Sequence, residues 1–165
     1  MQAANQERNY PLGYTQAEFE RLQSQGLFFR DLTEDLLRRA GIASGMHVLD
    51  IGSGAGDVSL LAGELVGPSG RVLGIERSTE ATQIAHHRAV TAGQHWVSFC
   101  STELAAFASE DKFDAIIGRL ILMYLPDPAE ALRGLCRYLR PKGLVVFQEM
   151  VMPLAQSHPD GKRVH

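Results

Sequence analysis

The chain has 165 residues, of which 45% are hydrophobic and 21% charged, and its formal net charge is −3. These values are typical of one folded domain, and they exclude long disordered segments and the polybasic surface of a nucleic-acid-binding protein. No apolar run approaches membrane-spanning length and no secretory leader is evident, so we expect a cytosolic location with neither membrane nor nucleic acid as a direct partner.

The first predicted elements form an N-terminal helical segment, residues 1–44. Thr15 and Glu18 have the spacing of a capping box, in which each side chain bonds a free N–H group at a helix start. We therefore expect a helix over 16–25. The apolar periodicity that follows predicts a second helical stretch over 32–40.

A short apolar strand, predicted over 47–51, ends on a carboxylate and runs into three alternating glycines. These residues are Asp50, Gly52, Gly54 and Gly56. Glycine lets the backbone turn sharply with no Cβ in the way, so a ligand can lie against bare peptide. The helix predicted over 55–66 points its free N–H groups at the same place. The pattern predicts a nucleotide-type pocket.

The glycine spacing separates this pocket from a dinucleotide site. A dinucleotide fingerprint has the form G-x-G-x-x-G, and here Asp57 holds the position of the third glycine. An anionic pyrophosphate would meet Asp50 and Asp57, and no Lys or Arg lies between Met46 and Gly70 to offset them. We therefore expect a zwitterionic or cationic ligand.

A second predicted strand, over 71–76, ends on Glu76 about 20 residues after the glycine loop. A doubly wound fold places a ribose-binding carboxylate at this distance. Glu76 is thus a candidate to bind both ribose hydroxyls, although a solvated acid paired with Arg77 would give the same sequence.

Strands and helices alternate strictly from residue 47 onward, which predicts an α/β fold with a parallel sheet and helices on both faces. The carboxyl ends of such strands meet at one edge, where ligands bind. That edge would gather Asp50, Glu76, Arg119 and Glu149. The remaining predicted strands are 96–100, 113–118 and 143–149, and the remaining predicted helices are 79–92, 102–108 and 128–139.

The two cysteines, Cys100 and Cys136, are not arranged as a C-x-x-C pair. We expect both to be reduced thiols in the core. His86 and His87 lie together in a predicted helix and are expected at the surface. No cluster has metal-ligand spacing, so no metal is predicted.

Together, the Asp-x-Gly-x-Gly-x-Gly segment and the acid that closes the next strand resemble the class I S-adenosylmethionine-dependent methyltransferases. The resemblance runs from Gly45 to Met150 and is strongest to the small-molecule methyltransferases of ubiquinone and menaquinone biosynthesis. It implies a Rossmann-like, doubly wound, mostly parallel sheet of order 3-2-1-4-5 over 45–152, preceded by a helical lid over 1–44 and followed by a tail, 153–165.

S-adenosylmethionine is the cofactor that this resemblance implies. The glycine loop would hold its methionine part, and Glu76 would hold the ribose. Asp50 would receive the ammonium directly or through water, or would orient the glycine loop. Further cofactor contacts implied in the same way are Ser53, Arg77, Thr102, Glu103, Gly118 and Arg119, with Tyr14 and Gln25 from the lid. In this family an aspartate often accepts from the adenine amino group at the position of Thr102 and Glu103.

The acceptor side gives weaker signals. Tyr124 follows the fourth strand where an acceptor would approach, and it could equally be a half-buried aromatic residue. Glu149 and His158 are possible bases, and both could be plain surface residues. The sequence predicts no catalytic residue and no particular acceptor.

Three functions are compatible with these residues. The first is methyl transfer to a small-molecule acceptor by in-line displacement, and the second is a cofactor-binding or regulatory domain without turnover. An NAD-type oxidoreductase is disfavoured by Asp57. Because two further strands of the family have no counterpart before His165, we expect either a homodimer that covers the fifth strand's edge or a chain cut from a longer enzyme.

Overall fold

Five strands build the sheet at the centre of the fold. In this computed structural model, which describes residues 29–150, they lie in the order β3-β2-β1-β4-β5, and each neighbouring pair is parallel. The order reverses at β1, and a crevice at this switch point is where such sheets bind ligands. The predicted fold class and strand order are confirmed. The strands are β1 (His47–Ile51), β2 (Arg71–Glu76), β3 (Val97–Ser101), β4 (Phe113–Arg119) and β5 (Leu139–Gln148).

Helices cover both faces of this sheet. They are α1, described over 29–40, with α2 (Asp57–Val66), α3 (Thr79–Thr91) and α4 (Pro128–Leu135). On one face, the core contains Leu37 from α1, Leu61 from α2 and Val48 from β1. On the other face, Ile116 from β4 packs with Leu135 from α4. Burial of both faces explains why the strands are apolar on both sides.

The prediction of a helix over 102–108 is wrong. The chain there makes a single 3₁₀ turn, Leu104–Ala106, and becomes extended at Phe107. Phe107 is drawn into the core, where its ring lies edge-on to the ring of Tyr138 with centroids 5.1 Å apart. The Tyr138 hydroxyl also donates to the Phe107 carbonyl over 2.8 Å. This tertiary contact overrides the local helix preference.

The last strand begins earlier than predicted, at Leu139 rather than 143. Residues 140–143 form an irregular stretch opposite Asp114, because the register passes from Phe113 and Leu139 to Ala115 and Leu144. Arg140 bonds both carboxylate oxygens of Asp114, at 2.8 and 2.7 Å, which holds this stretch against β4. The helix predicted to reach 139 correspondingly ends at Leu135 and continues as a 3₁₀ turn.

The prediction that both cysteines are core thiols is also wrong. Cys100 and Cys136 are free and exposed. Cys100 lies on β3, which is an edge strand of the sheet, and Cys136 begins the 3₁₀ turn after α4. His86 and His87 are exposed as expected. Within residues 29–150, no helix is both long enough and apolar enough to cross a bilayer.

Candidate functional site

The glycine loop after β1 is built from backbone conformations that favour glycine. Gly52, Gly54 and Gly56 have φ values of 66°, 52° and 88°, all in the left-handed region. The N–H groups of Gly52 and Ser53 donate to the carbonyl of Ile75, at 2.9 and 3.1 Å, and so tie the loop to β2. Helix α2 then begins at Asp57 with Gly56 as an N-cap that offers no side chain.

These glycines face different surroundings. A Cβ at Gly52 would lie 2.6 Å from Cδ1 of Ile121, and one at Gly56 would lie 2.9 Å from Cζ of Phe99. Among residues 29–150, nothing lies within 4 Å of a Cβ placed at Gly54. Gly52 and Gly56 therefore allow close packing beneath the loop, whereas Gly54 leaves its upper side open to a ligand.

Glu76 lies directly beside this open glycine. Its side chain is only 7% exposed, and Oε2 accepts from the Gly54 N–H over 3.1 Å. Oε1 accepts from the Ser78 N–H over 2.9 Å. The acid that closes β2 thus lies in contact with the middle of the glycine loop.

Asp50 lies beneath the loop and is 1% exposed. Burial raises its pKa from 3.8 to about 7, although the Ser59 hydroxyl, which donates to Oδ2 over 2.5 Å, and the nearby charge of Arg119 lower it in part. The charges of Glu76 and Asp57 add to the increase. A cationic group of a ligand near Asp50 would favour its ionised form.

Two arginines from distant parts of the sequence balance these carboxylates, and of the two only Arg119 was predicted at this edge. Arg88 donates to Asp57 Oδ1 over 2.7 Å and to the Ala55 carbonyl over 2.5 Å. Arg119 lies 3.8 Å from the other oxygen of Asp57 and donates to the Thr33 hydroxyl over 3.3 Å.

No Lys or Arg lies between Met46 and Gly70, but two arginines from outside this range offset the charge of Asp57. The parallel topology brings Arg88 from α3 and Arg119 from β4 to the same edge. Burial lowers the pKa of Arg119 from its ordinary value, and the charges of Asp57 and Asp50 oppose that shift. The glycine spacing, rather than local charge, is what argues against a dinucleotide.

The other predicted cofactor contacts lie around this loop. Ser53 is buried, and its hydroxyl has no hydrogen-bond partner among residues 29–150. Thr102 follows β3, and its N–H donates to the Glu76 carbonyl over 2.9 Å. Arg77 and Glu103 are exposed at the same edge, and Gly118 is buried at the end of β4. Tyr14, Gln25 and His158 lie outside the described residues.

The acceptor-side residues lie beyond β4. Tyr124 is exposed in a 3₁₀ turn, Leu122–Tyr124. Glu149 accepts two backbone N–H groups with the same oxygen, Oε1, from Ile121 over 3.0 Å and from Leu122 over 2.9 Å. From residue 29 to 150, no group of three or more His, Cys, Asp or Glu side chains could hold a metal ion.

A family model described as "Methyltransferase domain" matches residues 42–163, which include the glycine loop, Glu76 and all five strands. The chain belongs to this methyltransferase family. Its resemblance to class I methyltransferases is thereby confirmed at the level of the family.

Individual relatives agree with the family assignment. A demethylmenaquinone methyltransferase from Geobacillus stearothermophilus is 27% identical over 140 residues, which are 83% of this chain and 60% of that protein. A solved S-adenosylmethionine-dependent methyltransferase from Aquifex aeolicus is 25% identical, with a TM-score of 0.69, over 81% of this chain and 71% of that one.

One similar structure has a different activity in its description. The [4+2]-cyclase SpnF is 27% identical, with a TM-score of 0.64, and the match covers 81% of this chain and 52% of SpnF. A fold of this type therefore does not by itself fix the reaction.

The cofactor of this methyltransferase family is S-adenosylmethionine. The pocket fits it on two observations. No residue from 29 to 150 comes within 4 Å of the place that a Cβ would take at Gly54, and a buried carboxylate, Glu76, lies at hydrogen-bond distance from the same glycine. The roles of the single residues in binding it stay predictions.

Proposed function

We propose that this chain binds S-adenosylmethionine and transfers its methyl group to a small-molecule acceptor. The observation that carries the proposal is the 3.1 Å contact between the Glu76 carboxylate and the Gly54 N–H. This contact brings the acid that ends β2 next to the glycine loop at the switch point of the sheet, where such folds bind ligands. The demethylmenaquinone named for the relative from G. stearothermophilus is also a small molecule.

In this proposal, the open side of Gly54 receives the amino-acid part of the cofactor, and Asp50 accepts from its ammonium group directly or through water. Glu76 exchanges its bond with the Gly54 N–H for bonds with the ribose hydroxyls. The adenine side is formed by Arg77, Thr102 and Glu103, and the remaining contacts come from Ser53, Gly118, Arg119, Tyr14 and Gln25.

The bound cofactor supplies a methyl group on a positively charged sulfur. The chain's own contribution is to hold the cofactor and the acceptor in line, with the reacting atoms about 3 Å apart. Positioning alone is sufficient for an acceptor that is already a good nucleophile, so the proposal assigns no side chain as a base.

Transfer of radiolabelled methyl groups to a panel of phenols, quinones and amines tests this function. We expect label in at least one small-molecule acceptor, and none when Glu76→Ala replaces the wild-type chain. Glu110→Ala, at an exposed position between β3 and β4, serves as the matched control and should keep the activity. If the wild type binds the cofactor but labels no acceptor, the methyl-transfer proposal fails.

That outcome would favour a second function, in which the chain binds the cofactor without methyl turnover. The similarity to SpnF supports keeping this alternative, because SpnF is described as a cyclase at 27% identity. An NAD-type oxidoreductase has no comparable support, since the G-x-G-x-G spacing lacks the third glycine position of a dinucleotide loop.

We also propose that a second copy of the chain covers the outer edge of β5. Within residues 29–150, β5 pairs only with β4, and Val145 on it is 46% exposed. An exposed apolar edge favours pairing with another strand. The two free, exposed cysteines suit a reducing compartment, which supports the cytosolic location as part of the proposal.

A further inference from the structure

The turn that follows β4 begins with a strained residue. Leu120 has a φ of 54°, in the left-handed region that is unfavourable for a residue with a side chain. Such a conformation persists only where the surrounding contacts hold it. The contacts that hold Leu120 in this conformation therefore indicate the function of the turn.

The end of β5 supplies those contacts. The N–H of Leu120 donates to the Gln148 carbonyl over 2.9 Å. The next two N–H groups, of Ile121 and Leu122, both donate to Oε1 of Glu149, over 3.0 and 2.9 Å. Three consecutive amides of the turn are thus bonded to two consecutive residues of the neighbouring strand's end.

Ile121 connects this turn to the glycine loop. Its side chain lies so close to Gly52 that a Cβ there would be 2.6 Å from Cδ1 of Ile121, and a Cβ at Gly118 would be 3.0 Å from Cγ2. Ile121 therefore packs against both backbone segments that border the cofactor pocket. The residues that follow it, Met123 and Tyr124, are exposed on the acceptor side.

We propose that Glu149 is a positioning residue rather than a base. By holding the amides of Ile121 and Leu122, its carboxylate locks the strained turn and presses Ile121 against Gly52. It thereby fixes the distance between the cofactor loop and the acceptor-side residues. This inference rests on the proposed function for its effect on catalysis, but its structural part does not.

Two substitutions separate the two roles. Glu149→Gln keeps a carbonyl oxygen that can accept both N–H groups but cannot act as a base. Glu149→Ala removes the acceptor altogether. We expect Glu149→Gln to keep kcat within about threefold, and Glu149→Ala to weaken S-adenosylhomocysteine binding about tenfold, since 1.4 kcal/mol corresponds to a factor of ten and charged hydrogen bonds contribute this much.

Hydrogen exchange gives a readout that needs no cofactor. Amide exchange over 120–124 should be faster by at least tenfold in Glu149→Ala than in the wild type, and unchanged in Glu149→Gln. If Glu149→Gln loses activity as fully as Glu149→Ala, while exchange and S-adenosylhomocysteine binding stay unchanged in both, Glu149 is a base and the proposal is overturned.

A matched control distinguishes positioning from general loss of stability. Asp127 caps α4 by accepting from the Glu130 N–H over 2.8 Å, so Asp127→Ala also removes a carboxylate that binds an amide of this region. It should lower the melting temperature but leave S-adenosylhomocysteine binding unchanged.

If Glu149→Ala does not fold, Ile121→Ala replaces it, with the same expected loss of affinity. A wild type that does not bind S-adenosylhomocysteine contradicts the proposed function. The exchange experiment still tests whether Glu149 holds the amides of Ile121 and Leu122.

Discussion

At the end of β1, Asp50 combines burial with a titration near neutral pH. Its pKa is about 7 in the folded chain and 3.8 in the ordinary, solvated state. Between these values the folded state keeps a proton that the unfolded state has lost, so stability falls as the pH rises from about 4 to 7. Above pH 7, the unfolding free energy is lower by about 4 kcal/mol than it is below pH 4, because of Asp50 alone.

Asp50→Asn should therefore stabilise the fold, and more so at high pH. Asn keeps an oxygen that can accept from the Ser59 hydroxyl, and it has no proton to lose. The gain in unfolding free energy should be about 2–3 kcal/mol larger at pH 8 than at pH 5. Urea unfolding at both pH values measures it.

Asp114 provides the control for this experiment. Hydrogen bonds from His47 and Arg140 outweigh burial and lower its pKa, so it is ionised throughout this range and stabilises the folded state. Asp114→Asn should lower stability equally at pH 5 and pH 8. An equal effect of Asp50→Asn at the two pH values would contradict the assignment of Asp50.

Lys142 lies in the left-handed region, with a φ of 67°. Glycine adopts this conformation without the steric penalty of a side chain, so Lys142→Gly should raise the unfolding free energy by about 0.5–1 kcal/mol. Lys142→Ala keeps the strain and should give no gain. Thermal unfolding of the three chains decides the point, and an equal gain in both variants would rule out backbone strain as the cause.

The candidate site residues at the strand ends were predictable where they lie close together in the sequence. Asp50, the glycines and Glu76 are linked by one strand–loop–helix–strand unit, and the structure places Glu76 beside Gly54. Arg119 was predicted at this edge, but Arg88 and the contacts of both arginines with Asp57 were not, because these contacts span 31 residues or more of sequence. Only the sheet topology joins them.

Among the elements, the glycine loop gives the sharpest contrast between fold and ligand binding. Gly52 and Gly54 both have positive φ, but only Gly52 packs against a neighbour, Ile121. Gly54→Ala should lower stability by about 1 kcal/mol and S-adenosylhomocysteine affinity at least tenfold. Gly52→Ala should cost about 2–4 kcal/mol, because Ile121 must also move.

Calorimetric titration and thermal unfolding measure the two effects. Gly93→Ala is a suitable control, since Gly93 has a φ of 68° and open space around it but lies after α3. Gly93→Ala should lower the stability through backbone strain but should leave the S-adenosylhomocysteine affinity unchanged. A Gly54→Ala chain that binds as well as the wild type would show that the ligand does not lie on this side of the loop.

The strands were predictable because a covered parallel sheet requires apolar runs, and β1 and β2 begin and end as predicted. The errors arose where a distant contact competes with local preference. Phe107 leaves its predicted helix to pack against Tyr138, and the start of β5 is set by Arg140 and Asp114. Neither contact is visible in the local sequence.

For the whole molecule, the exposed edge of β5 predicts self-association. We expect a dimer in sedimentation or light scattering, and Val145→Lys should shift it toward the monomer because a charged edge disfavours strand pairing. Val90→Lys is the matched control, since Val90 is 54% exposed on α3 and away from this edge. A wild type that remains monomeric at high concentration would contradict the edge contact.

The architecture as a whole was accessible from the sequence, because alternating strands and helices leave few topologies. The strand order came from the family resemblance. The matched relative from G. stearothermophilus is longer, and this chain covers 60% of it.

The central claim is that the loop of Gly52, Gly54 and Gly56, together with Asp50 and Glu76, holds an adenosyl group and an amino acid. Calorimetric titration of the wild-type chain with S-adenosylmethionine, S-adenosylhomocysteine and NAD tests it most directly. The account predicts dissociation constants in the micromolar range for the first two ligands and no binding of NAD. Micromolar binding of NAD with no response to either sulfur compound would contradict it.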